Sequence, residues 1–189
     1  MKYTVSPPPG GGPKIVFQSR PGESDRHIAL KILAYLLFQN DTGSLPLQVE
    51  QGVGQRHKPD LVAADPDTGH MVLWIDCGQI EVKRLGRIAA ANPRARVIVV
   101  KATRREAENY ARAAARHLPA SHRAAVLCLG FDADFFEAFR AGLRGANDVA
   151  LVLEGDGTAR VTLNGAACET HLYTFPISQN EQNLFPPAN

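Results

Sequence analysis

Residues 58–79 read KPDLVAADPDTGHMVLWIDCGQ, and this stretch decides the fold. Pro66-Asp67-Thr68-Gly69 is a strong turn signal. The apolar runs on either side, 60–65 (DLVAAD) and 70–77 (HMVLWIDC), read as the two strands of a hairpin. A turn centred near Thr68 sets Asp60, at the start of the first strand, opposite Asp76, at the end of the second. Directly opposed residues bring their Cβ atoms to about 5 Å, where like charges are destabilising. Two carboxylates are kept so close when a cation neutralises them or when one stays protonated. Hard oxygen ligands at this spacing suit Mg²⁺ or Mn²⁺. A register displaced by one or two residues leaves both as ordinary strand-end acids.

Working outward, residues 2–5 and 14–18 read as short strands around the SPPPGGGP linker (6–13), whose prolines bar a helix. Residues 21–40 (PGESDRHIALKILAYLLFQN) form the clearest helix, capped by Ser24 or Asp25, with Ile28, Ile32, Leu33, Leu36 and Leu37 on one stripe. A strand is expected over 45–50. Beyond the hairpin come a helix at 79–92, a near-continuous apolar strand at 95–102, an alanine-rich helix at 103–117, a strand at 124–130 and a helix at 132–145. A continuous apolar run suits a strand covered on both faces. From 148 the pattern alternates like antiparallel strands, turning at Gly155-Asp156-Gly157. The order predicts an α/β fold: a mixed sheet flanked by helices, with an N-terminal strand pair and a C-terminal antiparallel pair. One domain over 1–177 and a loose tail over 178–189 are expected.

With 44% hydrophobic and 21% charged residues, the composition argues against a disordered chain or a disulfide scaffold. Cys77, Cys128 and Cys168 are odd in number and form no CxxC, which suits a reducing cytoplasm. The longest apolar run, Ile32–Phe38, is too short for a bilayer, and no secretory leader is expected. The lone CxxH of Cys168 and His171 lacks the second pair that zinc needs. Cys77 and Trp74 read as core.

The net charge of +2 conceals a block pattern. Residues 82–123 carry 11 basic and 2 acidic side chains, with no acid from Val82 to Arg105. Such a block is either a solvated Arg-rich face or a surface for phosphates, where clustered Lys and Arg release counterions from a polyanion.

Several pieces in combination resemble the YaeQ family. These are Pro21, Glu23 and Ser24 at the first helix start, Leu33-Ala34 within it, Pro59-Asp60-Leu61, Trp74-Ile75-Asp76 and Gly78-Gln79, together with the alternating C-terminal strands. The family has been grouped with the PD-(D/E)XK nuclease-like superfamily, whose core of helix, three antiparallel strands, helix and strand matches the order read over 23–102. The resemblance implies that Glu23, Asp60 and Asp76 bind Mg²⁺ or Mn²⁺ and hydrolyse phosphodiesters of DNA or RNA. Gly78 stands where the superfamily has its motif lysine. Gln79 would then orient a water, or Lys83 or Arg87, four residues apart on one helix face, would supply the cation. Lys83, Arg84 and Arg87 follow the site directly and are the candidate phosphate contacts. The missing lysine equally suits a catalytically weak or inactive nuclease-derived module that binds nucleic acid or protein.

Overall fold

The computed structural model describes residues 1–7, 13–123 and 125–178; nearly all of the expected tail, and most of the SPPPGGGP linker, lie outside them. Among the described residues, two mixed sheets and five helices form the fold. The larger sheet contains β3 (Gln48–Val49), β4 (Leu61–Ala64), β5 (Met71–Cys77), β6 (Arg96–Val100), β7 (Val126–Gly130) and β11 (Tyr173–Pro176), in the order β11-β7-β6-β5-β4-β3. Strands β5, β6 and β7 run parallel, which requires crossovers. Helices α2 (Val82–Ala91) and α3 (Arg104–His117), with the short α4 (Ala120–Arg123), supply them. The β4–β5 hairpin pairs Leu61 with Ile75 and Val62 with Trp74, which is the register read from the turn.

Helix α1 (Asp25–Phe38) is capped by Ser24, whose hydroxyl accepts the His27 N–H at 3.3 Å. It is buried on nearly every side rather than along one stripe. A helix apolar all round needs cover all round, and this requirement builds the second sheet. There β1 (Lys2–Ser6) and β2 (Ile15–Gln18) join β8 (Ala146–Leu153), β9 (Thr158–Leu163) and β10 (Ala166–His171) in the order β10-β9-β8-β1-β2. The C-terminal antiparallel pair expected from the pattern is thus a three-strand meander. Its first strand runs parallel to β1, and β11 crosses to the larger sheet. Helices α1 and α5 (Ala133–Gly142) contribute to one core cluster with residues of both sheets, including Phe17, Ile75, Ile98, Phe136 and Val161. On the opposite face of the larger sheet Trp74, Leu85, Ile88, Val97, Val99 and Ala107 form a second cluster under α2 and α3.

Two local departures bear on the site. Helix α2 starts at Val82, not at 79. Gly78 has φ +72, in the left-handed region, and its N–H still pairs with the Val100 carbonyl at 2.9 Å, so the strand runs one residue on and then turns. The expected strand over 45–50 shrinks to two residues; Pro46 has no N–H to pair, and Glu50 turns at φ +51.

Candidate functional site

The carboxyl ends of parallel β5 and β6 meet the start of α1, the position at which open α/β sheets take ligands. A cleft of about 1010 Å³ opens there, lined by Glu23, His27, Gly78, Gln79, Lys101 and Tyr110 among others. Glu23 lies just before the Ser24 cap, so its side chain shares a face with His27 and Lys31, four and eight residues on.

This spacing produces a chain of ionic contacts. Lys31, wholly buried, lies 2.6 Å from Glu23 and also donates to Glu50. Arg20 reaches the other oxygen of Glu50 at 2.5 Å. Burial opposes the ammonium of Lys31, but the hydrogen bonds and charges of Glu23 and Glu50 outweigh it and raise its pKa. The His27 Nε2 lies 3.2 Å from Glu23 Oε1 and 3.1 Å from Asp60 Oδ1, and so bridges two of the three expected acids. Burial disfavours the imidazolium, yet the hydrogen bond and charge of Asp60 raise the His27 pKa. The second oxygen of Asp60 accepts the Cys77 N–H at 2.7 Å.

Asp76 is 4% exposed and lies on the opposite face of β5 from Cys77, which packs in the α1 core as expected. Its Oδ2 accepts the Trp74 indole N–H at 2.8 Å and its Oδ1 lies 3.3 Å from Arg84. Trp74 is fully buried, as expected, and its nitrogen also serves the site. Burial pushes the Asp76 pKa up to about 6; the Trp74 hydrogen bond and Arg84 oppose the shift, and the charge of Asp60 adds to it.

The expected residues therefore separate into two groups. His27 joins Glu23 to Asp60, whereas Asp76 contacts Trp74 and Arg84 and is reached by Asp60 through charge alone; Gln79 joins Glu23 in the cleft from the exposed turn between β5 and α2. Arg84 points back to Asp76 and to the Lys58 carbonyl. Lys83 and Arg87 line a different groove of about 380 Å³, with His117 and His122, on the α3–α4 side of α2. His27, Lys31, Glu50 and Lys101 escaped the sequence reading. The signal for two of them was there: the four-residue spacing of Glu23, His27 and Lys31, and a lysine within an otherwise apolar helix.

The donor set suits a hard divalent cation in kind, being three carboxylates without a thioether or thiol. The raised pKa of Asp76 reflects burial and a second carboxylate nearby, a combination a cation relieves. Yet Lys31 and His27 hold Glu23, His27 holds Asp60 and Arg84 holds Asp76. Among the described residues no three of His, Cys, Asp or Glu are arranged around a common point for a metal.

The fold and site together define a mixed α/β domain with an acidic cluster at the carboxyl end of a parallel strand pair. The model of the family described as YaeQ protein matches residues 14–172, and the chain belongs to the YaeQ family. Two solved structures share its fold. The YaeQ protein of Xanthomonas axonopodis pv. citri superposes with TM-score 0.67 at 21% identity, covering 92% of this chain and 96% of that one. The YaeQ protein of Pseudomonas syringae gives TM-score 0.66 at 20% identity, covering 90% and 92%. No curated protein matches the chain.

Proposed function

We propose that this YaeQ-family chain is a metal-dependent phosphodiesterase acting on nucleic acid, with a core of the PD-(D/E)XK type. The observation that carries the reading is the β4–β5 register: one step beyond the Leu61–Ile75 pair, Asp60 and Asp76 close the hairpin, and the charge of Asp60 helps to keep Asp76 reluctant to ionise. Glu23, Asp60 and Asp76 would hold Mg²⁺ or Mn²⁺, which when bound polarises a phosphodiester and lowers the pKa of water. Asp60 is held by the Cys77 amide and His27, Asp76 by Trp74 and Arg84, and Gln79 offers a neutral amide to a water in the cleft.

A second reading, a nuclease-derived binding module, draws on a different observation. Each oxygen of the three acids already has a protein donor, Glu23 Oε2 included, which accepts the Arg20 N–H at 3.0 Å. A cleavage screen over single- and double-stranded DNA and RNA, with Mg²⁺, Mn²⁺ or chelator, separates the two. The hydrolase reading expects metal-dependent cleavage that Asp60→Asn and Asp76→Asn abolish, and a Tm raised by millimolar Mn²⁺ in the parent protein alone. No cleavage of any substrate and an unmoved Tm would leave the binding module.

A further inference from the structure

Lys101 follows β6 and extends its register. One step beyond the Cys77–Val100 pair it stands beside Gly78, with its side chain on the Asp76 face of the sheet. It is 7% exposed, and among the described residues no carboxylate lies within ion-pair distance of it. Its Nζ donates to the Gly78 carbonyl and sits 4.0 Å from the centroid of the Tyr110 ring. The acids whose charge reaches it are engaged elsewhere: Glu106 with Arg26 at 2.5 Å, and Asp76 with Trp74 and Arg84. Burial accordingly lowers the Lys101 pKa.

Tyr110, on α3, presents the second feature. Its hydroxyl is buried and has no hydrogen-bond partner among the described residues. Both side chains line the cleft that Glu23 and Gln79 also line. A buried ammonium answered only by a carbonyl and a ring is under-compensated. An unpaired buried hydroxyl is costly as well. An anion seated at the Lys101–Tyr110 wall of the cleft would answer the ammonium and give the hydroxyl an acceptor. The left-handed backbone of Gly78 is a conformation that a lysine rarely adopts, so a cation on this face comes more readily from the neighbouring strand.

We propose that Lys101 and Tyr110 form an anion subsite that takes the phosphoryl oxygens of a phosphodiester on the floor of the cleft. The choice of a phosphodiester rests on the function proposed above and deepens it; the subsite itself rests on the unanswered donors.

The test measures binding apart from cleavage, with divalent metal chelated. A fluorescent oligonucleotide without terminal phosphates and, separately, inorganic phosphate are titrated into the full chain and into Lys101→Met, Tyr110→Phe and Lys83→Met. The subsite predicts at least a tenfold loss of oligonucleotide affinity in Lys101→Met and several-fold in Tyr110→Phe, each larger than in Lys83→Met. Unchanged oligonucleotide affinity in both cleft variants overturns it. A loss confined to inorganic phosphate overturns the assignment to a phosphodiester. Circular dichroism melts check folding; if Lys101→Met fails to fold, Tyr110→Phe alone decides. Cleavage by the same preparations keeps the two proposals apart. Binding that depends on Lys101 in a protein that cleaves nothing leaves the subsite and removes the hydrolase. Cleavage by a protein whose cleft variants bind normally does the reverse.

Discussion

The indole N–H of Trp74 donates to Asp76 at 2.8 Å, from a side chain two residues away on the same face of β5. A hydrogen bond to the ionised form favours that form, so Trp74 restrains the rise that burial imposes on Asp76. Trp74→Phe removes the donor and keeps most of the packing. The Asp76 pKa should climb further above about 6. Carbon-detected NMR titration of the Asp76 carboxyl checks this, and an unchanged or lower midpoint would show that the indole contributes packing alone.

Asp76 also sets a pH dependence of stability. Its folded pKa lies near 6, against an ordinary value of 3.8. For a group raised on folding, the folded state binds the extra proton. The contribution is therefore fully present below the unfolded pKa and is lost as pH rises through the folded one. Metal-free protein should lose up to about 3 kcal/mol from this group between pH 4 and 7, about 1.4 kcal/mol per pKa unit. Asp76→Asn should flatten that limb in urea melts taken across the range. A slope the variant retains would assign the loss to other groups.

Lys31 offers a test of the ionic chain beneath the cleft. It is wholly buried between Glu23 and Glu50, so its removal leaves two carboxylates without their shared cation. Breaking a buried pair from one side costs about 3–5 kcal/mol. Lys31→Met, which preserves the stem in the α1 core, should lower stability by about 3 kcal/mol in guanidinium unfolding. Lys31→Met with Glu50→Gln should recover part of the loss. A Lys31→Met protein as stable as the parent would mean that the triad carries no net stabilisation.

The hairpin register was legible because two independent signals agreed. Asp65 accepts the N–H groups of Asp67 and Thr68, fixing the turn that PDTG announces, and the apolar runs fix which faces are buried. The register slips only between Ala63 and Ala64, on the turn side of the pairs that matter. The second sheet was less legible. The burial of α1 on all sides was present in its composition, but a stripe was read where a cylinder was needed. The pairing of β1 with β8 spans most of the chain and has no local signature. Asp60 and Asp76 were visible through the hairpin register, and Glu23 through the family resemblance alone. The cations that hold them were not, because Lys31 and Arg84 act through contacts that folding alone creates. The placement of Lys83 depended on where α2 begins, and Gly78 moved that start by three residues.

The basic block over 82–105 is divided by the fold. Its members do not share one role in the structure. Arg84 is held by Asp76 and the Lys58 carbonyl, Arg96 by Asp41 at 2.6 Å, and Arg104 lies over the Tyr173 ring. Lys83 and Arg87 are exposed, form no ion pair among the described residues, and share the groove beside His117. Cations already neutralised by protein acids release few counterions when a polyanion binds, whereas free ones release nearly one each, about 0.9 per phosphate on a duplex. Lys83→Ala and Arg87→Ala should therefore each flatten the log-log salt slope of duplex binding by about one unit. Arg96→Ala should leave it nearly unchanged. Arg84→Ala should act differently again: it frees the Asp76 carboxylate, so its effect should appear chiefly in the Asp76 titration, whose midpoint should rise when the guanidinium is gone. Fluorescence anisotropy in chelator from low to moderate salt measures the slopes. Slopes that Lys83→Ala and Arg87→Ala leave untouched would make the block a solvated basic face and confine phosphate contact to the Lys101 cleft.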